Sequence, residues 1–298
     1  MRRPILWVFV ADLWWGVSAL FWRELDTVAP IDQLGWRVTT GFGLLALFWL
    51  LRRRHPLPGG LTKRHVLYAI GGAAFIFSNW AVFLWAIANE QAVDAALGYF
   101  LAPVIQVALA VGVLREVMRP AQKLAVIIAT AGIVWMVTIQ GGLPWVALVL
   151  AGSFGCYGLL RKMGPWDAVN GLTAEMGIVA PLTILLLVVR SGAGNEIAGD
   201  ASLFTWALIV LTGFITAVPL ILFAGAARAA PLVVVGLMQY VVPIAQFIVG
   251  WWILGESVPL NRLIGFAIVW AALVLVVFDE LRNQRLQRPV DRVEPSFS

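Results

Sequence analysis

Of the 298 residues, 61% are hydrophobic and 12% charged, and the mean hydropathy is +0.89, so there is too little polar side chain to coat a water-soluble domain and lipid must be the solvent. The net charge of +5 and the pI near 9.9 would suit a nucleic-acid partner, but the basic residues fall between apolar runs as membrane topology requires, and no nucleic acid is inferred. A crossing of the hydrocarbon core, about 30 Å thick, takes about 20 apolar residues. Ten such runs follow in order, at residues 4–22, 34–51, 66–88, 95–114, 124–140, 145–160, 171–189, 204–225, 232–254 and 263–278.

The start, Met1-Arg2-Arg3 and an apolar run, resembles a signal peptide, but Asp12 interrupts it and no convincing small-x-small site follows, so it is expected to stay as the first helix. With that terminus inside, 17 of the 21 Lys and Arg lie on the inner side, among them Arg52, Arg53, Lys63, Arg115, Arg119, Arg161, Lys162 and Arg228. Only Arg23, Arg190 and Arg262 lie outside, and Arg37 lies within a helix. Positive residues are retained in the cytoplasm during insertion, so both ends are expected there. His55 and His65 flank a basic loop without Cys or carboxylate neighbours at ligand spacing, and neither a metal nor a cofactor is expected. Cys156 is the single cysteine, which excludes an intrachain disulfide, and it reads as a packing residue. No G-x-S-x-G, H-E-x-x-H or P-loop pattern occurs, and the polar tail 279–298 reads as a fraying cytoplasmic helix end.

One regularity spans these runs. Leu97, Pro103, Gln106, Leu114, Glu116 and Val134 recur as Leu237, Pro243, Gln246, Leu254, Glu256 and Val274, all at an offset of 140. Leu and Val matches are cheap in so apolar a chain. Pro, Gln and Glu, each at roughly 5% frequency, would coincide at one given offset about once in 10⁴. Pro4 with Pro144 and Ala11 with Ala151 extend the match, so residues 1–140 and 141–278 read as two five-helix repeats. Five is odd, which turns the second repeat upside down, with Glu116 at the inner surface and Glu256 at the outer. Inverted repeats build a midplane cavity that two similar halves expose alternately to each side. The fold class expected is all-α integral membrane, and the function expected is secondary transport by alternating access. An uncoupled facilitator remains an alternative, as does a membrane enzyme or sensor, though no clustered His or carboxylates favour an enzyme.

The segments Leu97-Gly98-Tyr99-Phe100-x-x-Pro103, Ser78-Asn79-Trp80 with Trp85-Ala86-Ile87, Tyr157-Gly158-Leu159-Leu160-Arg161-Lys162, Val218-Pro219-Leu220 and Gln239-Tyr240-Val241-Val242-Pro243 occur in order along nearly the whole chain. Together they resemble the RarD-type branch of the EamA transporters, in the drug/metabolite transporter superfamily. That resemblance implies a ten-helix bundle of two inverted repeats in the bacterial inner membrane, moving a small metabolite or drug, usually outward. A monomer or homodimer is expected. Three positions depart from the pattern: Asp12 stands where an aromatic or apolar residue is expected, Trp36 precedes Arg37 where His is common, and Ala102 replaces a polar residue before Pro103.

Polar groups within the membrane are where chemistry is sought, since a charge at the bilayer centre costs ~2.5–3.5 kcal/mol or more. Helix rise puts Asp12 ~12 Å deep from the inner end, Arg37 ~5 Å from the outer surface and Glu175 ~6 Å from the inner surface. Arg37 and Glu175 are too far apart in depth to pair. Glu90 or Asp94 is the expected partner of Arg37, and Arg161, Lys162 or Arg228 that of Glu175; structural pairing or snorkelling competes with a functional role for both. Asp12 has no cation within a turn of its own helix and so is a candidate to bind a proton or a cationic ligand, against a neutral structural Asp. Tyr99, Pro103 and Gln106 share one helix face, as do Gln239, Pro243 and Gln246, giving two polar stripes that either line a cavity or glue helices, with the prolines as kinks. Asn79, Tyr157 and Tyr240 join the candidates, and Trp15, near Asp12, offers a ring face to a cation.

Overall fold

The computed structural model describes residues 2–53, 60–192, 202–255 and 260–286. Among them it contains ten helices long and apolar enough to cross a membrane: Arg3–Arg23, Pro30–Arg52, Lys63–Ala88, Ala92–Gly112, Pro120–Ile139, Trp145–Met163, Ala168–Gly192, Leu203–Ala229, Leu232–Ile253 and Leu263–Asn283. These are the first to tenth helices below. The ten apolar runs read from sequence are all present, most of them longer than the runs. Helices begin where the sequence supplies acceptors or a fixed φ: Thr62 and His65 form a reciprocal cap, the Ser202 hydroxyl accepts from the Thr205 amide at 3.1 Å, and Pro30 and Pro120 occupy first turns. Gly141, at φ +88°, ends the fifth helix in the left-handed region that a side chain would disfavour.

The helices pack in a reciprocal pattern. The first lies against the eighth and ninth, the sixth against the third and fourth, the second against the seventh and eighth, and the third also against the seventh. The fourth meets the ninth and the fifth meets the tenth. Shifted by five helices, each of these contacts falls on itself or on another of them. Leu47, Leu185, Val188, Val210 and Val274 face outward, where lipid is their solvent, while Val8, Leu220, Phe223 and Leu237 fill the centre. Close approach is set by small residues: a Cβ on Gly213 would fall on the backbone of Thr40 and Gly41, so the second and eighth helices touch almost backbone to backbone.

Both stripe prolines lie inside helices, with different results. The fourth helix runs unbroken through Pro103. The ninth is divided into Leu232–Met238 and Val241–Ile248, and ends in a π-helical turn at Val249–Ile253. Pro243 has no amide to give the Gln239 carbonyl, and the Val242 amide takes that acceptor instead at 3.0 Å. The break therefore sits at Gln239 and Tyr240. Glu256, His55 and residues 287–298 of the polar tail lie outside the described residues, whereas residues 279–286, read from sequence as a fraying end, continue the last helix, with Asp279 and Glu280 paired to Arg119.

Candidate functional site

A cavity of about 530 Å³ occupies one half of the bundle. Its wall is drawn from the C-terminal half of the first and third helices and the N-terminal half of the second and fourth, with Phe154, Thr216 and Leu220 from the sixth and eighth and Gln239, Val242 and Gln246 from the ninth. These helix ends all lie on one side of the bundle. The exposed turn residue Asp26 also borders the cavity, so its mouth is at the connection between the first two helices.

At the floor, Asp12 is fully buried, and no donor among the described residues reaches either carboxyl oxygen. Trp15 beside it packs edge-on against Phe154, centroids 5.7 Å apart, and tilts toward Phe223 at 5.9 Å. Asn79 lines the wall but spends its amide on the sixth helix, donating to the Leu150 carbonyl at 2.9 Å and the Ser153 hydroxyl at 3.0 Å. Tyr99 and Gln246 also line the wall, with the Tyr99 ring 5.8 Å from that of Phe83.

Arg37 corrects an expectation. Glu90 and Asp94 are not its partners. Its guanidinium lies over the rings of Trp80 and Trp22, at 4.3 and 4.9 Å from their centroids, and its Nε donates to Thr216 Oγ1 at 3.3 Å. Two indole faces and a hydroxyl do what a carboxylate was expected to do, because three aromatic-bearing or polar helices converge on it from the first, third and eighth positions. Sequence depth alone could not find Trp22, Trp80 or Thr216, since none has a neighbour in sequence that marks it.

The opposite half of the bundle is a polar seal. Arg161 donates to Glu175 at 3.0 Å and to the carbonyls of Ala168 and Asp167 at 2.8 and 3.2 Å, while the Tyr157 hydroxyl donates to the other Glu175 oxygen at 3.1 Å. Arg161 is thus the partner of Glu175, one of the three foreseen. Tyr157 and Glu175 lie in this buried cluster and away from the cavity wall, with Tyr157 stacked on Phe223. Nearby, Glu116 accepts from the Leu232 and Val233 amides at 2.8 and 2.9 Å, placing a carboxylate on the N-terminus of the ninth helix. The Lys162 ammonium donates to the Ala230 carbonyl beside it, and Arg228 to that of Trp166.

Between cavity and seal the two polar stripes meet. Gln239 Nε2 donates to Gln106 Oε1 at 2.6 Å, and both side chains are buried. Gln239 reaches the cavity wall; Gln106, Tyr240, Pro103 and Pro243 stand behind it. Phe83 on the wall and Phe223 in the packed centre are related by the same offset of 140, a match in the sequence that completes the stripes. Replacing Gln106 with Leu strands the Gln239 amide and is expected to cost about 1–3 kcal/mol, whereas replacing both glutamines with Leu restores stability yet still lowers or redirects transport. Thermal unfolding and flux of the two variants check this; equal stability of the single and wild-type proteins refutes the coupling.

Known proteins resemble this chain in sequence and in fold. Residues 2–138 match the model of the EamA-like transporter family. The chain is 35% identical to protein RarD of Streptomyces exfoliatus, over 96% of this chain and 92% of that one, and 31% identical to the uncharacterized transporter YojE of Bacillus subtilis, over 96% and 97%. Protein RarD of Escherichia coli is 29% identical over 95% and 97%. A solved crystal structure with 17% identity superposes over 97% of this chain and all of its own, with a TM-score of 0.71, and so shares the fold. Ten membrane-crossing helices, the match to the EamA model and full-length relatives at up to 35% identity place this bacterial multi-pass membrane protein among transporters: it belongs to the RarD-type branch of the EamA family.

Proposed function

We propose that the chain is a secondary active transporter that exports a small metabolite or drug across the bacterial inner membrane by alternating access, with 1–140 and 141–278 as its two inverted halves. The observation that carries this reading is the large cavity, open at one end and closed at the other by the Gln106–Gln239 bond and the Arg161–Glu175 cluster. The reciprocal packing of helices five apart supports the two halves. The distribution of Lys and Arg supports a mouth facing outside and a seal, with both termini, facing the cytoplasm. Asp12 at the floor is the coupling residue, taking up and releasing a proton as the cavity changes sides.

Two measurements test this. A cysteine placed at Asp26 is expected to react with an impermeant maleimide added to intact cells and one at Glu116 only after permeabilisation; both reacting from one side overturns the topology. Proteoliposomes are expected to show counterflow of a transported solute, and a protein that moves no solute is an enzyme or sensor instead.

A further inference from the structure

Arg37 stands about ten ångströms below the start of the second helix by helix rise, deep enough that an unpaired charge is costly. Among the described residues no carboxylate is within ion-pairing distance of it. Among the described residues its only hydrogen bond uses Nε, and the two indoles hold the carbon centre, so both terminal Nη groups of this cavity-lining side chain keep their donors unused. The other ionisable groups on that wall are Asp12, Asp26 and Tyr99. Asp12 hides its carboxyl oxygens completely, Asp26 stands at the solvent-facing mouth, and Tyr99 carries no charge at neutral pH. The one fixed charge that the interior of the cavity offers a solute is therefore positive.

Much of the wall is apolar, with Ile76, Phe83, Leu84, Phe154 and Leu220 among its residues beside uncharged polar side chains such as Thr216, Tyr99 and Gln246. A guanidinium held from behind, with two free NH2 groups, matches a carboxylate in a way that an ammonium cannot. The volume of about 530 Å³ suits a small organic molecule.

Resting on the transporter reading, we infer that the cavity selects organic anions, binding a solute's carboxylate on the Nη groups of Arg37 and its apolar or aromatic body against the wall of the third and eighth helices. The anion supplies the counter-charge that the protein withholds, so selectivity for charge resides in this one residue.

The test uses three matched probes, 3-phenylpropionate, 3-phenylpropanamide and 3-phenylpropylamine, titrated calorimetrically into the purified full-length protein in detergent. The carboxylate is expected to bind at least about tenfold more tightly than the amide, with the amine weakest; in affinity terms one such step is about 1.4 kcal/mol. Arg37→Gln is expected to abolish the difference between carboxylate and amide, while Arg37→Lys, which keeps the charge and loses the fork, retains part of it. The ratio of the two affinities is the readout, because a merely structural Arg37 would weaken all probes alike. If Arg37→Gln does not fold, Arg37→Lys and Thr216→Val, which frees Nε, carry the same comparison. Equal binding of carboxylate and amide to the unmodified protein, preference for the amine, or no carboxylate binding tighter than about 1 mM overturns the inference. Counterflow of 3-phenylpropionate in proteoliposomes separates the two claims: calorimetric preference for the anion without flux fails the transporter reading and keeps the site, whereas flux of the amine or amide in preference does the reverse.

Discussion

Replacing Arg161 with Met is expected to destabilise the protein by about 3–5 kcal/mol, the cost of stranding a buried charge. Glu175 and Arg161 are both almost completely buried, and Gly72 and Gly171 crowd them so closely that a Cβ on either would collide with the pair. The double variant Arg161→Met/Glu175→Leu removes the charge together with its partner and is expected to recover most of that loss, since apolar replacements of whole buried pairs are often neutral. Tyr157→Phe, which deletes one hydrogen bond to a charged acceptor, is expected to cost only about 1.5–3 kcal/mol. Thermal unfolding in detergent ranks the three. A double variant as unstable as the single would show that packing, and not the unpaired charge, sets the stability here.

Asp12→Asn is expected to abolish transport driven by a pH gradient and to leave counterflow exchange in place. The amide fills the same volume at the floor of the cavity but has no proton to release. The carboxyl oxygens have no donor around them among the described residues, so no ion pair or hydrogen bond needs to break for the proton to move. Flux into proteoliposomes with and without an imposed gradient distinguishes the outcomes. Loss of counterflow too would make Asp12 a direct ligand, and unimpaired gradient-driven flux would remove it from the coupling.

The fold was legible because each crossing announces itself by about twenty apolar residues, a signal that tertiary packing cannot disguise. Partners across helices were legible only where charge made them necessary. Glu175 had to find a cation at its own depth, and Arg161 was among three candidates. Arg37 obeyed the same demand by other means, since indole faces satisfy a guanidinium without a charge, and nothing in the spacing of Trp22 or Trp80 distinguishes them from the other tryptophans of an aromatic-rich chain. The glutamine stripes were visible as a pattern, but periodicity gives the face of a helix and not what that face meets. Gln106 and Gln239 meet each other, while Gln246 meets the cavity.

That bond has a reflection. Moving each partner by 140 residues turns Gln106 into Gln246 and Gln239 into Tyr99, and both of these stand on the cavity wall. If the two halves exchange roles as proposed, the clasp closing one end opens as its twin closes the other, so the Tyr99 hydroxyl and the Gln246 amide are expected to join when the mouth shuts. A chain carrying Tyr99→Cys and Gln246→Cys should then be oxidised to a disulfide faster during turnover than at rest, and the locked protein should stop until a reductant frees it. Cross-linking at a rate indifferent to turnover would mean that the glutamine clasp belongs to one end only.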